Sequence, residues 1–102
     1  MENLNTIKEK KTRISFKLIE SENLNSLTQA GFYVSAGWSN DISGLPDELN
    51  NNSSKAFYLL VFSLDSDNYC QQILYSFKGL IFYRVKTSYD IQFEKWRKIQ
   101  QI

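Results

Sequence analysis

The sequence predicts a mainly β domain: a β-rich α+β fold with a small antiparallel sheet or sandwich of about five strands and one short helix. Three observations carry this. Several short segments alternate or concentrate apolar side chains in the way strands do, with period two where one face is wet. Clusters of Gly, Asn, Asp and Ser separate them, as turns require. Aromatic residues reach 15% of the chain, and the longest apolar run, Ala56–Phe62, is rich in them. At 102 residues folding hides about 60–65% of the chain's surface, which leaves room for one modest core and one domain. Residues 1–20 read as an N-terminal arm and first strand, and 21–102 as the globular body.

Residues 1–11 are polar and lysine-rich and read as a frayed arm. From Thr12 to Ile19 the chain alternates, with Ile14, Phe16 and Leu18 on one side and Arg13, Ser15 and Lys17 on the other, so 13–19 is the first strand. Ser21–Ala30 carries Leu24 and Leu27 three apart. Ser and Asn stand at its start to cap amides and Gly31 at its end, so one or two helical turns are expected there. Residues 32–36 are the second strand. Gly37–Lys55 has no period and contains Pro46 and an Asn/Ser run, so it reads as a long loop pinned by Trp38, Ile42, Leu45 and Leu49. Strands follow at 56–64, 69–77 and 80–86, the last two joined by a two-residue Lys78-Gly79 loop. The tail from Tyr89 to Ile102 fits either a helical turn, through Phe93, Trp96 and Ile99, or a short extended segment. The expected core is Phe16, Leu18, Phe32, Val34, Leu60, Phe62, Ile73, Phe82 and Trp96.

Composition excludes several chemistries. Histidine is absent, which removes His-based triads, His general bases and imidazole metal sites. Cys70 is the single cysteine, so no intrachain disulfide or Cys-rich zinc cluster forms. Without a nearby base it reads as a small core residue. This usage suits a reducing compartment, a cytosol or an infected cytosol. Met1–Arg13 lacks the apolar stretch of a signal peptide, and no apolar run approaches the roughly 20 residues of a membrane-spanning helix. Net charge is +1, so no global field draws the chain to nucleic acid or to an acidic membrane.

Local motifs are weighed the same way. Asp65 and Asp67 begin like a calcium loop, but Cys70 and Ser76 stand where an EF-hand needs glycine and glutamate, so a solvated turn is expected. Asp41, Asp47, Glu48, Asp65 and Asp67 show no spacing that pairs two of them for glycoside hydrolysis. Lys8, Lys10, Lys11, Arg13 and Lys17 at one end and Lys95, Arg97 and Lys98 at the other form one positive patch only if the termini pack side by side. The signature of a ribonucleoprotein strand is missing, so nucleic acid is not an expected partner. Trp38, Tyr33, Tyr58, Tyr69 and Tyr75 lie near loops or edges. Aromatic faces beside Asn and Gln amides are what a sugar site uses, since a pyranose stacks its CH face and hydrogen-bonds its rim.

From Leu24 to Ile99, about three quarters of the chain, the order of these elements resembles the knob domain of bacteriophage and R-type pyocin tail fibres. The short turn Leu24-Asn25-Ser26-Leu27 runs into Gly31-Phe32-Tyr33. Asn40 and Pro46 follow in the loop, then the apolar strand Phe57–Phe62. Gln72-Ile73-Leu74-Tyr75, the turn Lys78-Gly79, and Phe82-Tyr83-Arg84 come next, and Phe93-Glu94-Lys95-Trp96 with Ile99 ends the match. Phe93 stands where the family often has tryptophan, the Asn/Ser loop is long, and residues 1–20 fall outside the likeness.

The resemblance implies a non-catalytic component of a virion or tail-like particle, made in the bacterial cytoplasm and needing no cofactor. It implies a homotrimeric, receptor-binding fibre domain, knob-like over 21–102, that attaches to host cell-surface polysaccharide or wall polymer. Trp38, Asn40, Tyr69, Tyr75 and Arg84 are the candidate ligand-binding residues, no metal site is expected, and Arg84 is also the natural lock between strand and loop. The alternative is a small cytosolic interaction protein that binds RNA or a protein partner through its basic termini.

Overall fold

The computed structural model describes residues 15–35, 41–50, 55–63, 69–87 and 92–99. The alternating and apolar segments become strands β1 (Lys17–Ile19), β2 (Gly31–Ser35), β3 (Phe57–Ser63), β4 (Cys70–Ser76), β5 (Ile81–Lys86) and β6 (Arg97–Ile99). They build one six-stranded sheet in chain order, β1-β2-β3-β4-β5-β6. From β2 onward each neighbour is antiparallel, with Leu59 opposite both Tyr33 and Leu74, and Leu74 opposite Phe82. β1 instead runs parallel to β2. A parallel neighbour needs a crossover of about a dozen residues, and Glu20–Ala30 supplies it. The sheet is therefore mixed, and its sixth strand is the extended form of the ambiguous tail.

The helical content is split between the expected segment and one not expected. Between β1 and β2 only a 3-10 turn forms, Leu24–Ser26, capped by Asn23, whose side chain accepts from Asn25 N at 2.9 Å. Gly31 does not end a helix there; it opens β2. The short helix α1 (Asp47–Asn50) lies inside the expected structureless loop, just after Pro46 and with two carboxylates in its first turn. Proline at a helix start sacrifices no hydrogen bond, and acidic side chains favour that end of the dipole. The β4–β5 hairpin has three loop residues, Phe77-Lys78-Gly79, not two. Gly79 N donates to Ser76 O, Ser76 N to Leu80 O, and the Ser76 hydroxyl accepts from Lys78 N and Leu80 N.

The core lies on the opposite side of the sheet from the one anticipated. Ile19, Tyr33, Phe57, Leu59, Val61, Cys70, Leu74 and Phe82 are buried, together with Leu24, Ile42, Leu45 and Leu49 from the connections. Phe16, Leu18, Phe32 and Phe62, all anticipated in the core, are 41%, 54%, 39% and 49% exposed. Val34, Leu60 and Ile73 share their side and are only half buried, whereas Phe82 and Trp96 do pack where expected. Both sides of the strands are apolar, so the larger side chains gave no information about which side is covered. Cover comes from three irregular segments laid over one face: the β1–β2 crossover, residues 42–49 and residues 93–96.

Main-chain bonds knit those segments together. Leu24 N donates to Ser43 O and Ser43 N to Glu22 O, forming a parallel bridge between Asn23 and Ser43. The Glu22 carboxylate accepts from the amides of Glu20 and Ser21, and these bonds hold its pKa below the usual carboxylate value. Trp96 Nε1 donates to Gly44 O at 2.8 Å. Gly44 has φ +80°, and a Cβ there would meet Asn23 Oδ1 at 2.9 Å and Asn25 N at 3.2 Å. Gly79 has φ +92° with open space around it. Gly79→Ala is expected to lose about 1 kcal/mol, from backbone strain alone. Gly44→Ala adds the clash and is expected to lose about 2–3 kcal/mol. Urea unfolding of the two variants ranks them; equal losses contradict the close approach at Gly44.

Candidate functional site

Of the five residues singled out for ligand binding, the three among the described residues are not brought together. Trp38 and Asn40 lie outside the described residues. Arg84 is 6% exposed and sits on the covered face of β5, while Tyr69 and Tyr75 belong to the opposite face. Tyr75 is in β4 and Tyr69 immediately precedes it, so they stand on the same side but roughly 20 Å apart, six residues of extended chain.

Arg84 belongs to a buried polar cluster. The fully buried Gln72 donates from Nε2 to Leu24 O at 2.7 Å and to Leu27 O at 2.9 Å, the two ends of the 3-10 turn. Its Oε1 accepts from Arg84 Nε at 2.8 Å. The Arg84 guanidinium carbon lies 4.3 Å from the ring centres of both Phe93 and Trp96. Facing aromatic surfaces stabilise a desolvated cation, and guanidinium stacks on them as ammonium does not. Gln72 thus holds the crossover to the sheet, and Arg84 holds residues 93–96 beside it. Its Nη2 has no hydrogen-bond partner. Burial pushes the guanidinium down to about 10, so it stays charged at neutral pH. The folded chain holds this proton less tightly than the unfolded one, so the charge costs stability at neutral pH, a cost that lifts only above about pH 10. These geometries give Arg84 the locking role, with Gln72 and two rings as its partners.

Tyr69 leads to a surface concavity. A groove of about 570 Å³ lies where β3 ends and β4 begins, lined by Phe62, Ser63, Tyr69, Gln71, Val85 and Lys86 among others. Tyr69 is 56% exposed, and Phe62 and Gln71 are exposed with it. The groove therefore brings two aromatic rings and the Gln71 amide together on the open side, while Ser63 and Lys86, in register with buried Cys70, line its far wall. Phe62 and Gln71 escaped sequence reasoning. Phe62 was assigned to the core, and only the cross-strand register that places it opposite Gln71 brings out the pair.

The remaining candidates separate. Asp47 and Glu48 are exposed in α1, and Glu48 bonds Lys98 at 3.1 Å. Asp65 and Asp67 lie outside the described residues, among which no cluster of three metal-ligating side chains occurs. Cys70 is buried, its thiol 3.8 Å from Thr28 O. Lys17 lies on β1 and Arg97 and Lys98 on β6, the two opposite edges of the sheet and five strand spacings apart, roughly 24 Å. The described basic residues at the two ends thus do not merge into one patch; Lys8, Lys10, Lys11 and Arg13 lie outside the described residues. Among those described, no helix is long and apolar enough to cross a membrane. Comparison of the chain with family models, curated proteins and solved structures finds no match.

Proposed function

We propose that this chain is a non-catalytic attachment module, a knob-like domain of a phage tail fibre or tail-like particle that holds a host cell-surface polysaccharide or wall polymer. The observation that carries the reading is the groove where β3 ends and β4 begins, where Phe62 and Tyr69 present exposed rings on the same side as Gln71, with Ser63 and Lys86 also in its lining. A pyranose CH face stacks on such a ring while its hydroxyls bond the Gln71 amide. Lys86 adds a charge partner for the phosphates of a teichoic-acid-type polymer. The covered face, on the other side of the sheet, serves rigidity: the Gln72–Arg84 cluster fixes the loops without reaching solvent. A single shallow groove binds weakly, and copies displayed together, a trimer in the fibre setting, multiply the effect.

The test is retention on purified host walls and on a glycan array, using a multimerised form of the whole chain. Tyr69→Ala is expected to weaken retention about tenfold or more, equivalent to at least ~1.4 kcal/mol, with the fold unchanged by circular dichroism. No retention of the multimerised wild type on any wall polymer sinks the reading. Salt-dependent retention on single-stranded RNA instead would favour an interaction protein working through its basic termini.

A further inference from the structure

One side of the sheet is covered by the chain's own connections, and among the described residues no segment covers the other. The bare side carries Leu18, Phe32, Val34, Tyr58, Leu60, Phe62, Ile73, Tyr75, Ile81, Tyr83, Val85 and Ile99, in register across all six strands. Among the described strand residues facing that way, only Gln71 and Arg97 lack an apolar or aromatic side chain, and Arg97 sits on the edge strand against Glu94. Phe16 and Phe77 join from beyond the strand ends. The rings of Phe32, Phe16, Tyr58 and Phe77 form a continuous row, with centroids 5.7, 5.3 and 4.9 Å apart in that order.

We propose that a second copy of this chain seats on this aromatic face. Seven of its side chains (Phe16, Leu18, Phe32, Tyr58, Phe62, Tyr75 and Phe77) are each 37–54% exposed. At about 200 Å² for a whole side chain of this size they present roughly 600 Å². That reaches the upper end of the largest patch on an ordinary monomer and approaches the roughly 800 Å² each partner contributes to a stable interface. The half-buried Val34, Leu60, Ile73, Ile81, Tyr83 and Val85 extend it further. The face is nearly free of charge, so two copies meet without repulsion or the desolvation of ions. The tilted rings leave both edges and faces for interdigitation, the arrangement aromatic pairs prefer. The arm offers a poorer cover, because residues 1–14 include four basic side chains and only Leu4, Ile7 and Ile14 as large aliphatics. This inference shares Phe62 and Val85 with the sugar groove but is tested without polymer: a chain that ignores every polymer can still associate, and a monomer can still bind one.

Sedimentation velocity of the full chain from about 1 to 200 µM tests it. The expected result is a mass of two or more copies at the upper end, with dissociation on dilution. Tyr58→Glu combined with Phe77→Glu is expected to weaken association at least tenfold, while Asn50→Asp on the covered side leaves it unchanged. Hydroxyl-radical footprinting of the wild type gives an arm that needs no variant: oxidation of Phe16, Tyr58 and Phe77 falls on concentration, while that of Tyr69 is less affected. A wild-type monomer at 200 µM, association that survives the double variant, or footprints indifferent to concentration each overturns the proposal.

Discussion

Replacing Gln72 with leucine is expected to lower the unfolding free energy by about 3–5 kcal/mol. Leucine fits the volume and the strand, so a purely apolar core would tolerate it. This position differs because every polar atom of the amide is engaged: both Nε2 hydrogens bond carbonyls of the crossover and Oε1 holds Arg84 Nε. The change strands the Leu27 carbonyl and one guanidinium N–H, at about 1–3 kcal/mol for each group left fully unsatisfied, and leaves Leu24 O with only its bond from Leu27 N. Gln72→Glu supplies a useful contrast. It offers Arg84 a charged acceptor but turns an acceptor toward the Leu24 and Leu27 carbonyls, so it too is expected to destabilise, by losing the crossover and not the arginine. Urea unfolding monitored by tryptophan fluorescence measures both, since Trp96 packs on Arg84. A loss below about 1 kcal/mol for Gln72→Leu contradicts the clamp.

The second large effect separates the two sides of the sheet. Phe57 and Phe62 lie on the same strand, five residues apart, and alternation sends them to opposite faces. Phe57 is fully buried beneath the loops, while Phe62 is half exposed. Phe57→Ala is expected to lose about 3–5 kcal/mol, the transfer of the ring plus the cavity it leaves. Phe62→Ala is expected to lose under about 1.5 kcal/mol, because half of its surface is already wet. Both are measured at low micromolar concentration, where association contributes least. Similar losses at the two positions would mean that the covered face has been assigned to the wrong side.

The strands were legible because alternation, apolar runs and turn residues act locally. The expected segments 56–64, 69–77 and 80–86 contain β3, β4 and β5 almost residue for residue. Tyr69 was also legible as an exposed ring, since a large aromatic beside an Asp/Asn cluster rarely finds full cover. Ser21–Ala30, with capping residues and two leucines at helical spacing, yields a single 3-10 turn and no longer helix, because its backbone is spent on the crossover and on Ser43, while the one α-helical turn forms at Asp47–Asn50. Gln72 was legible only within a motif, and Arg84 as a ligand-binding candidate and a lock between strand and loop, without these partners. Nothing local to either position reveals that one amide and one guanidinium, on neighbouring strands, meet beneath two loops.

By itself the sequence determined the β class, the meander from β2 to β5, the absence of imidazole and disulfide chemistry, and the presence of enough aromatic surface for two faces. Only the tertiary structure decided which face became the core. Alternation divides a strand's side chains into two sets but does not say which set is covered. Here both sets are apolar, and the choice fell to the side over which the β1–β2 crossover and residues 42–49 pass. That long-range placement buried Gln72 and Arg84, which hydrogen bonds and stacking could satisfy, and left Phe16, Phe32, Tyr58 and Phe77 facing out.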